Sequence, residues 1–178
     1  MNKVALVIIG LLTYVFASAQ TKPVRHIADI HLPSGAKKLS NEQMRTMANS
    51  TKKFPEDLKT DLNSTGEYYQ IDSLTLALYG GSVNIKTNYL DDSKKNFEDT
   101  FKKINCSTCT AEIQKLNNYN ALIVFFDTRD FGYYFFYTVN NDNSALVNGN
   151  ITYDKFSISN KKRALKTVQD LLNGMTFK

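Results

Sequence analysis

The chain has 178 residues, with 22 Lys and Arg against 17 Asp and Glu, 42% hydrophobic residues and two cysteines. That length suits one ordinary domain, and the apolar content excludes an intrinsically disordered chain. Two cysteines exclude a disulfide-dense mini-scaffold and a four-cysteine zinc site, and two histidines exclude most histidine-rich metal sites.

The N-terminus carries one early cation, Lys3, then an apolar run from Val4 to Phe16, then Ala17-Ser18-Ala19. This three-part layout predicts a secretory signal cleaved before Gln20. The run is short for a spanning helix, Gly10 and Thr13 interrupt it, and no cysteine follows it to carry a lipid anchor. The expected division is a cleaved signal over residues 1–19 and a single α/β domain over residues 20–178. Removal of the signal takes Lys3 away and leaves 159 residues with a net charge of +4. No later stretch is long and apolar enough to span a membrane. Only Arg25, Arg45, Arg129 and Arg163 carry guanidinium groups, and the lysines are dispersed as doublets such as Lys37-Lys38 and Lys161-Lys162. Dispersed lysines suit solvated faces, whereas phosphate and base contacts favour arginine, so no nucleic-acid partner is expected.

In chain order, residues 25–32 read as a strand stopped by Pro33-Ser34-Gly35. Ser40 caps a predicted helix running to about Lys53, with Met44, Met47 and Ala48 on its inner stripe. Pro55 to Gly66 is polar and reads as loop. Residues 67–79 predict a strand, although Asp72-Ser73 breaks its alternation. Gly80-Gly81-Ser82 reads as a turn, and Val83 to Thr87 as a short strand. Asp91 to Ile104 predicts a helix with Leu90, Phe97, Phe101 and Ile104 on one face and pairs Glu98–Lys102 and Asp99–Lys103 on its surface. Strands follow at residues 111–115, 119–127, 131–139 and 145–154, separated by short polar stretches that favour antiparallel hairpins. A helix over residues 160–173 closes the chain, with Gly174 as its C-cap glycine and an extended end at Met175 to Phe177.

Two strands decide the architecture. Tyr119 to Phe126 is apolar on both faces, and Phe131 to Tyr137 is aromatic on both faces. A sheet with one wet face would alternate apolar and polar residues. The fold class expected is therefore α+β, a three-layer α/β/α arrangement with a mainly antiparallel sheet covered by helices on both faces. The element order, the Leu32-Pro-Ser-Gly35 turn, the Gly149-x-Ile151-x-Tyr153 strand and the Leu171-Leu172…Thr176-Phe177 end resemble the Mog1/PsbP-like superfamily in its extracytoplasmic bacterial members. That resemblance implies a noncatalytic binding or scaffold role and transfers no functional residue.

Cys106-Ser-Thr-Cys109 is the sharpest local signal. In a thioredoxin-like site C-x-x-C opens a helix whose N-terminus stabilises the thiolate. Here a helix precedes the motif and a strand follows it, so the expectation is a structural disulfide worth about 2 kcal/mol or less. His26 and His31 are five apart on the predicted strand and fall on opposite faces. Asp127, Asp130 and Asp142 read as turn formers rather than a catalytic pair, and Asn140 to Asn143 lacks the glycine and glutamate of a calcium loop. No G-x-S-x-G motif or phosphate-binding glycine loop occurs. Tyr133, Tyr134 and Tyr137 form a candidate binding surface should one sheet face lie bare, with core packing as the alternative. The sequence thus predicts a secreted or periplasmic protein that is not an enzyme, needs no cofactor or metal, and works through a protein partner. A binding or assembly module is the first form of that expectation. An inhibitor or immunity-type protein against an exported enzyme or toxin is the second. A thiol redox enzyme built on Cys106 and Cys109 is the third.

Overall fold

The computed structural model describes residues 20–22, 24–50, 66–82, 85–116, 118–127, 131–155 and 157–178. The expected signal over residues 1–19 and nearly all of the polar stretch from Pro55 lie outside them. The elements are β1 (Gln20–Lys22), a 3-10 turn (Val24–His26), β2 (Ala28–Asp29), β3 (Lys37–Leu39), α1 (Asn41–Ser50), β4 (Glu67–Ile71), β5 (Leu74–Ser82), α2 (Tyr89–Lys103), β6 (Thr110–Lys115), β7 (Tyr119–Asp127), β8 (Phe131–Asn140), β9 (Ala145–Asp154), α3 (Ile158–Gly174) and β10 (Thr176–Phe177). The class is α+β. One sheet runs β3-β4-β5-β9-β8-β7-β6, with β1 also paired to β5, and a small second sheet joins β10 to β2. Every pairing among the described residues is antiparallel.

Alternation along β7 and β8 divides their apolar side chains into two cores. Tyr119, Ala121, Ile123 and Phe125 cluster with Tyr134, Phe136, Val147 and Ile151, and with Ala164, Val168, Leu171 and Leu172 of α3. Leu122, Val124 and Phe126 cluster with Tyr133, Phe135 and Tyr137, and with Leu90, Phe97 and Phe101 of α2. Met44 of α1 meets Tyr68 and Ala77 in a smaller cluster. The Phe126 ring stacks at 4.8 Å on Tyr133 and at 5.4 Å on Phe135, contacts worth about 0.5–1.5 kcal/mol each beyond their area. Gly149 is required where it stands: an added Cβ would meet the Phe136 ring and would lie 2.7 Å from the Ala77 carbonyl oxygen.

The helix ends follow local chemistry. At α1 the Gln43 amide donates to Ser40 Oγ at 3.1 Å while the Ser40 amide donates to Gln43 Oε1 at 2.8 Å, a reciprocal capping box. At the end of α2, Asn105 takes φ 52°. Its amide donates to the Lys102 carbonyl at 3.2 Å and that of Cys106 to the Phe101 carbonyl at 2.9 Å. These two bonds form a Schellman motif with asparagine in the left-handed position. Gly174 differs from expectation, because α3 continues through it and the cap is Met175 at φ −86°.

Several other expectations are corrected. Residues 25–32 hold a 3-10 turn and a two-residue strand, so the opposite-face argument for His26 and His31 does not apply. Asp72-Ser73 is a hairpin turn with Asp72 at φ 50°, which splits the predicted strand into β4 and β5. Gly80 and Gly81 are not a turn: both are in β5, opposite Val147 and Leu146 of β9 and paired on the other edge with β1. Ile85 to Thr87 is not a strand. On α2 the ion pairs are Lys94–Glu98 at 3.7 Å and Asp99–Lys102 at 3.6 Å, because Lys102 turns to the carboxylate three residues back.

Candidate functional site

Three places were marked by the sequence. The first, the aromatic strand, is interior. Tyr133, Tyr134 and Tyr137 are 4%, 5% and 1% exposed, since each packs into one of the two cores. They offer no open face for a ligand, and burial raises the phenol pKa of Tyr134 and Tyr137.

The second is the cysteine loop. Cys106 and Cys109 are joined by a disulfide with a Cα–Cα distance of 5.6 Å. The bridge closes the stretch between the α2 Schellman cap and β6, and both cysteines pack beside the α2 core. Between them, the Thr108 hydroxyl donates to Asp127 at 3.0 Å, and Lys155 pairs with the same carboxylate at 2.8 Å. Burial pushes the Asp127 carboxyl up, but the bonds from Lys155 and Thr108 outweigh it and hold it below its ordinary value. The loop thus ties the end of α2 to the ends of β7 and β9. It lies at a helix C-terminus, the wrong end to stabilise a thiolate.

The third place held the histidines. His26 is exposed in the 3-10 turn. His31 is exposed, and its Nδ1 lies 2.8 Å from the Gly174 carbonyl oxygen, where a protonated nitrogen donates. Among the described residues no group of three or more His, Cys, Asp or Glu side chains could hold a metal ion. Asp142 acts as the predicted turn former, accepting from the Ser144 amide at 3.0 Å and hydroxyl at 2.6 Å.

A different site emerges where residues 24–32 cross β4 and β5. A cleft of about 450 Å³ is lined by Val24, Arg25, Ala28 to Leu32, Glu67, Tyr69, Leu78 and Lys178. Its volume falls in the range of small-ligand and peptide-side-chain sites. The floor is apolar, with Val24 at 2% exposure, Ala28 at 1% and Leu78 at 2%. One wall is fixed by β10, whose Phe177 ring meets Tyr119 edge-on at 5.4 Å, and whose Thr176 and Phe177 pair with Asp29 and Ala28.

The polar groups of the cleft centre on Glu67, a buried carboxylate on the first residue of β4. Two residues along the strand, Tyr69 shares its face, and its hydroxyl donates to Glu67 Oε2 at 2.5 Å. Lys38, on the neighbouring β3, donates to the same oxygen at 3.2 Å, and Arg25 Nε lies 3.4 Å from it. Burial pushes the Glu67 carboxyl up. The bonds from Tyr69 and Lys38 and the charges of Lys38 and Arg25 outweigh that cost and hold it below its ordinary range. Burial first, and the Glu67 carboxylate second, raise the Tyr69 phenol. At the rim, Lys178 pairs with Asp29 at 2.8 Å and donates to the Arg25 carbonyl at 2.7 Å. Sequence reading missed this site because Arg25, the Glu67–Tyr69 pair and Lys178 lie on three separated segments and form no motif. The only local signal was Glu67 two residues before Tyr69 on a predicted strand.

No helix among the described residues is long and apolar enough to cross a membrane. No family model matches the chain, so the Mog1/PsbP-like resemblance has no family match behind it, and no curated protein matches either. Among solved structures, a protein from Bacteroides thetaiotaomicron is similar with a TM-score of 0.44 and 10% identity over 85% of this chain. This chain spans 45% of that protein's length. LpqN, described as involved in cell envelope biogenesis of Mycobacterium tuberculosis, is similar with a TM-score of 0.46 and 10% identity, over 90% of this chain and 86% of LpqN. Both likenesses are too distant to carry an argument about function.

Proposed function

We propose that this protein is an exported, noncatalytic binding module of three-layer α/β/α form, as in Mog1/PsbP-like proteins, and that it works through the cleft between residues 24–32 and β4–β5. The observation that carries this reading is the cleft itself, whose apolar floor of Val24, Ala28 and Leu78 lies beside the hydrogen-bonded Glu67–Tyr69 pair. A phenol acts as a nucleophile only when a nearby base can take its proton. Here the carboxylate is held below its ordinary range and the phenol above its own. Proton transfer from Tyr69 to Glu67 is therefore uphill from both sides. The pair serves as a fixed hydrogen bond that holds β4 to Arg25 and Lys38, a role suited to shaping a wall. The disulfide supports export, because such bridges persist in oxidising compartments.

The test is affinity capture from a cell-envelope extract with the full chain, followed by rebinding of the identified partner in purified form. A one-to-one complex without turnover supports the module. If the captured partner were an exported hydrolase or toxin whose activity the chain suppresses, the inhibitor form of the reading would replace it. A catalytic turnover lost in a folded Glu67→Gln or Cys106→Ser/Cys109→Ser protein would end the noncatalytic reading.

A further inference from the structure

On the other face of the sheet, under the first turn of α2, polar side chains gather inside the core. Asn148 of β9 is 2% exposed and Tyr137 of β8 is 1% exposed. The two stand directly opposite in the antiparallel β8–β9 ladder, so their side chains leave the sheet on one face. That face is the one α2 covers, where the Tyr137 ring lies 5.7 Å from that of Phe97. Tyr89 and Ser93, one turn apart on α2, come down on the same place. Burial pushes the Tyr89 phenol up to about 12, and the Asn148 and Ser93 side chains beside it pull the other way. Burial first, and the neighbouring Tyr89 phenol second, raise the phenol of Tyr137.

Four atoms of this group are buried with no hydrogen-bond partner among the described residues: the Tyr89 and Tyr137 hydroxyl oxygens and both Nδ2 and Oδ1 of Asn148. Such atoms are rare in a native core, because their lost hydration is not offset. Three other buried polar side chains show the ordinary pattern. The Thr100 hydroxyl donates to the Asn96 carbonyl at 2.8 Å, that of Thr138 donates to the Val147 carbonyl at 2.7 Å, and Asn160 accepts from Ser73 at 2.9 Å. The unpartnered atoms are therefore concentrated in one place, on three elements that meet there.

Their chemistry selects the occupant. Asn148 Nδ2 donates, its Oδ1 accepts, and each phenol can do either. Both phenols are held above their ordinary value, so they are neutral at pH 7, and the amide is neutral at any pH. A group of neutral atoms in a closed core disfavours a bare ion, whose desolvation only an opposite charge could offset. A water molecule offers two donors and two acceptors, and a buried water makes about three hydrogen bonds to groups that lack other partners.

We propose that the core binds an ordered water at this point, shared by the Tyr89 and Tyr137 phenols and the Asn148 side-chain amide, and that this water joins α2 to β8 and β9. The apolar contacts of Leu90, Phe97 and Phe101 hold α2 on the sheet, but such contacts are non-directional. Hydrogen bonds through a shared water are directional, and they fix Tyr89 over Asn148. The helix is then tied at both ends, by the water at its first turn and by the Cys106–Cys109 bridge just beyond its last.

The test combines the sign of two substitutions with a direct view of the water. Tyr137→Phe and Tyr89→Phe each delete one hydroxyl and keep the ring. A hydroxyl bonded to the shared water leaves a gap in that network when removed, so each substitution should raise the unfolding equilibrium constant about two- to tenfold in urea at pH 7. A hydroxyl buried without any partner gives the opposite sign, because its removal relieves an uncompensated desolvation. A crystal structure of the chain, at a resolution that shows ordered solvent, should place a water within about 3.2 Å of the Asn148 amide and of at least one phenol oxygen. Stabilisation by Tyr137→Phe would overturn the proposal, as would a crystal structure in which the phenols and the amide bond one another directly with no water between them.

Discussion

Replacement of Glu67 by glutamine tests the network that shapes the cleft. The substitution keeps size and shape but removes the charge that Tyr69, Lys38 and Arg25 share. A hydrogen bond to a charged acceptor contributes about 1.5–3 kcal/mol and a neutral one about 0.5–1.5, so the Tyr69 bond alone loses about 1–1.5 kcal/mol. The Lys38 side chain is 54% exposed, so its pair is screened by solvent, and it adds at most about 0.5 kcal/mol. Arg25 is bathed in water and is given no share. The expected loss is about 1–2 kcal/mol at pH 7, or about 2–8 °C in Tm for a domain of this size. The pH dependence fixes the cause. Glu67 is held below its ordinary value of 4.5, so its contribution is complete above that value and disappears as pH falls through the lower folded-state value. Urea unfolding at pH 7 and at pH 3 should show a gap between wild type and Glu67→Gln that narrows on acidification. A gap of equal size at both pH values would refute the reasoning, since a loss of packing has no reason to titrate.

Other expectations follow from single contacts. Cys106→Ser/Cys109→Ser, or reduction of the native chain, should lower stability by about 2 kcal/mol or less, because the bridge closes a very short loop; a larger loss in urea unfolding would show that the bridge anchors more than its own loop. Asn105→Ala should cost about 1 kcal/mol by placing a residue poorly suited to φ 52° in the Schellman position, while Asn105→Gly should be neutral or stabilising in the same measurement. Ser40→Ala should remove the capping box of α1 at a cost of about 1 kcal/mol, measured by thermal denaturation. Gly149→Ala should cost about 1–3 kcal/mol, since its Cβ meets the Phe136 ring and the Ala77 backbone; unchanged stability would mean that β9 can move away from β5 freely.

The strands legible in the sequence are those that bury both faces. β7 and β9 occupy the predicted spans, and β8 runs one residue further to Asn140; in β7 and β8 a long apolar or aromatic run flanked by asparagine and aspartate leaves little choice of register. α2 and α3 were likewise visible in their stripes, though each starts two residues earlier than expected. What failed were positions where local propensity and tertiary pairing disagree. Gly80-Gly81 has turn chemistry, yet both of its edges are taken by strands, β9 on one side and β1 on the other. Asp72-Ser73 looked like a flaw within one strand and is the turn between two, since aspartate tolerates a positive φ. Residues 25–32 alternate well enough for a strand, but the 3-10 turn takes the first of them, and β10 pairs only Ala28 and Asp29.

The same division explains why the candidate site was hidden. The aromatic residues that drew attention in the sequence are spent on the two cores, where Tyr133, Tyr134 and Tyr137 are nearly inaccessible. The cleft is built instead from the irregular segment 24–32, which has no period to read, and from one carboxylate at the start of β4. Its assembly depends on long-range pairings: β10 reaching back from the C-terminal end to β2, and Lys38 of β3 and Arg25 converging on Glu67. Each of these groups alone is an ordinary surface charge or a strand end. Together they hold a short strand against the sheet with one edge unpaired among the described residues. Burying Glu67 is unfavourable by itself, and the chain offsets that cost with three donors from three elements. The network that stabilises the fold at Glu67 therefore also fixes Tyr69 and Arg25 in the lining of the cleft, so Glu67→Gln should loosen the cleft wall in the same pH range in which it weakens the fold.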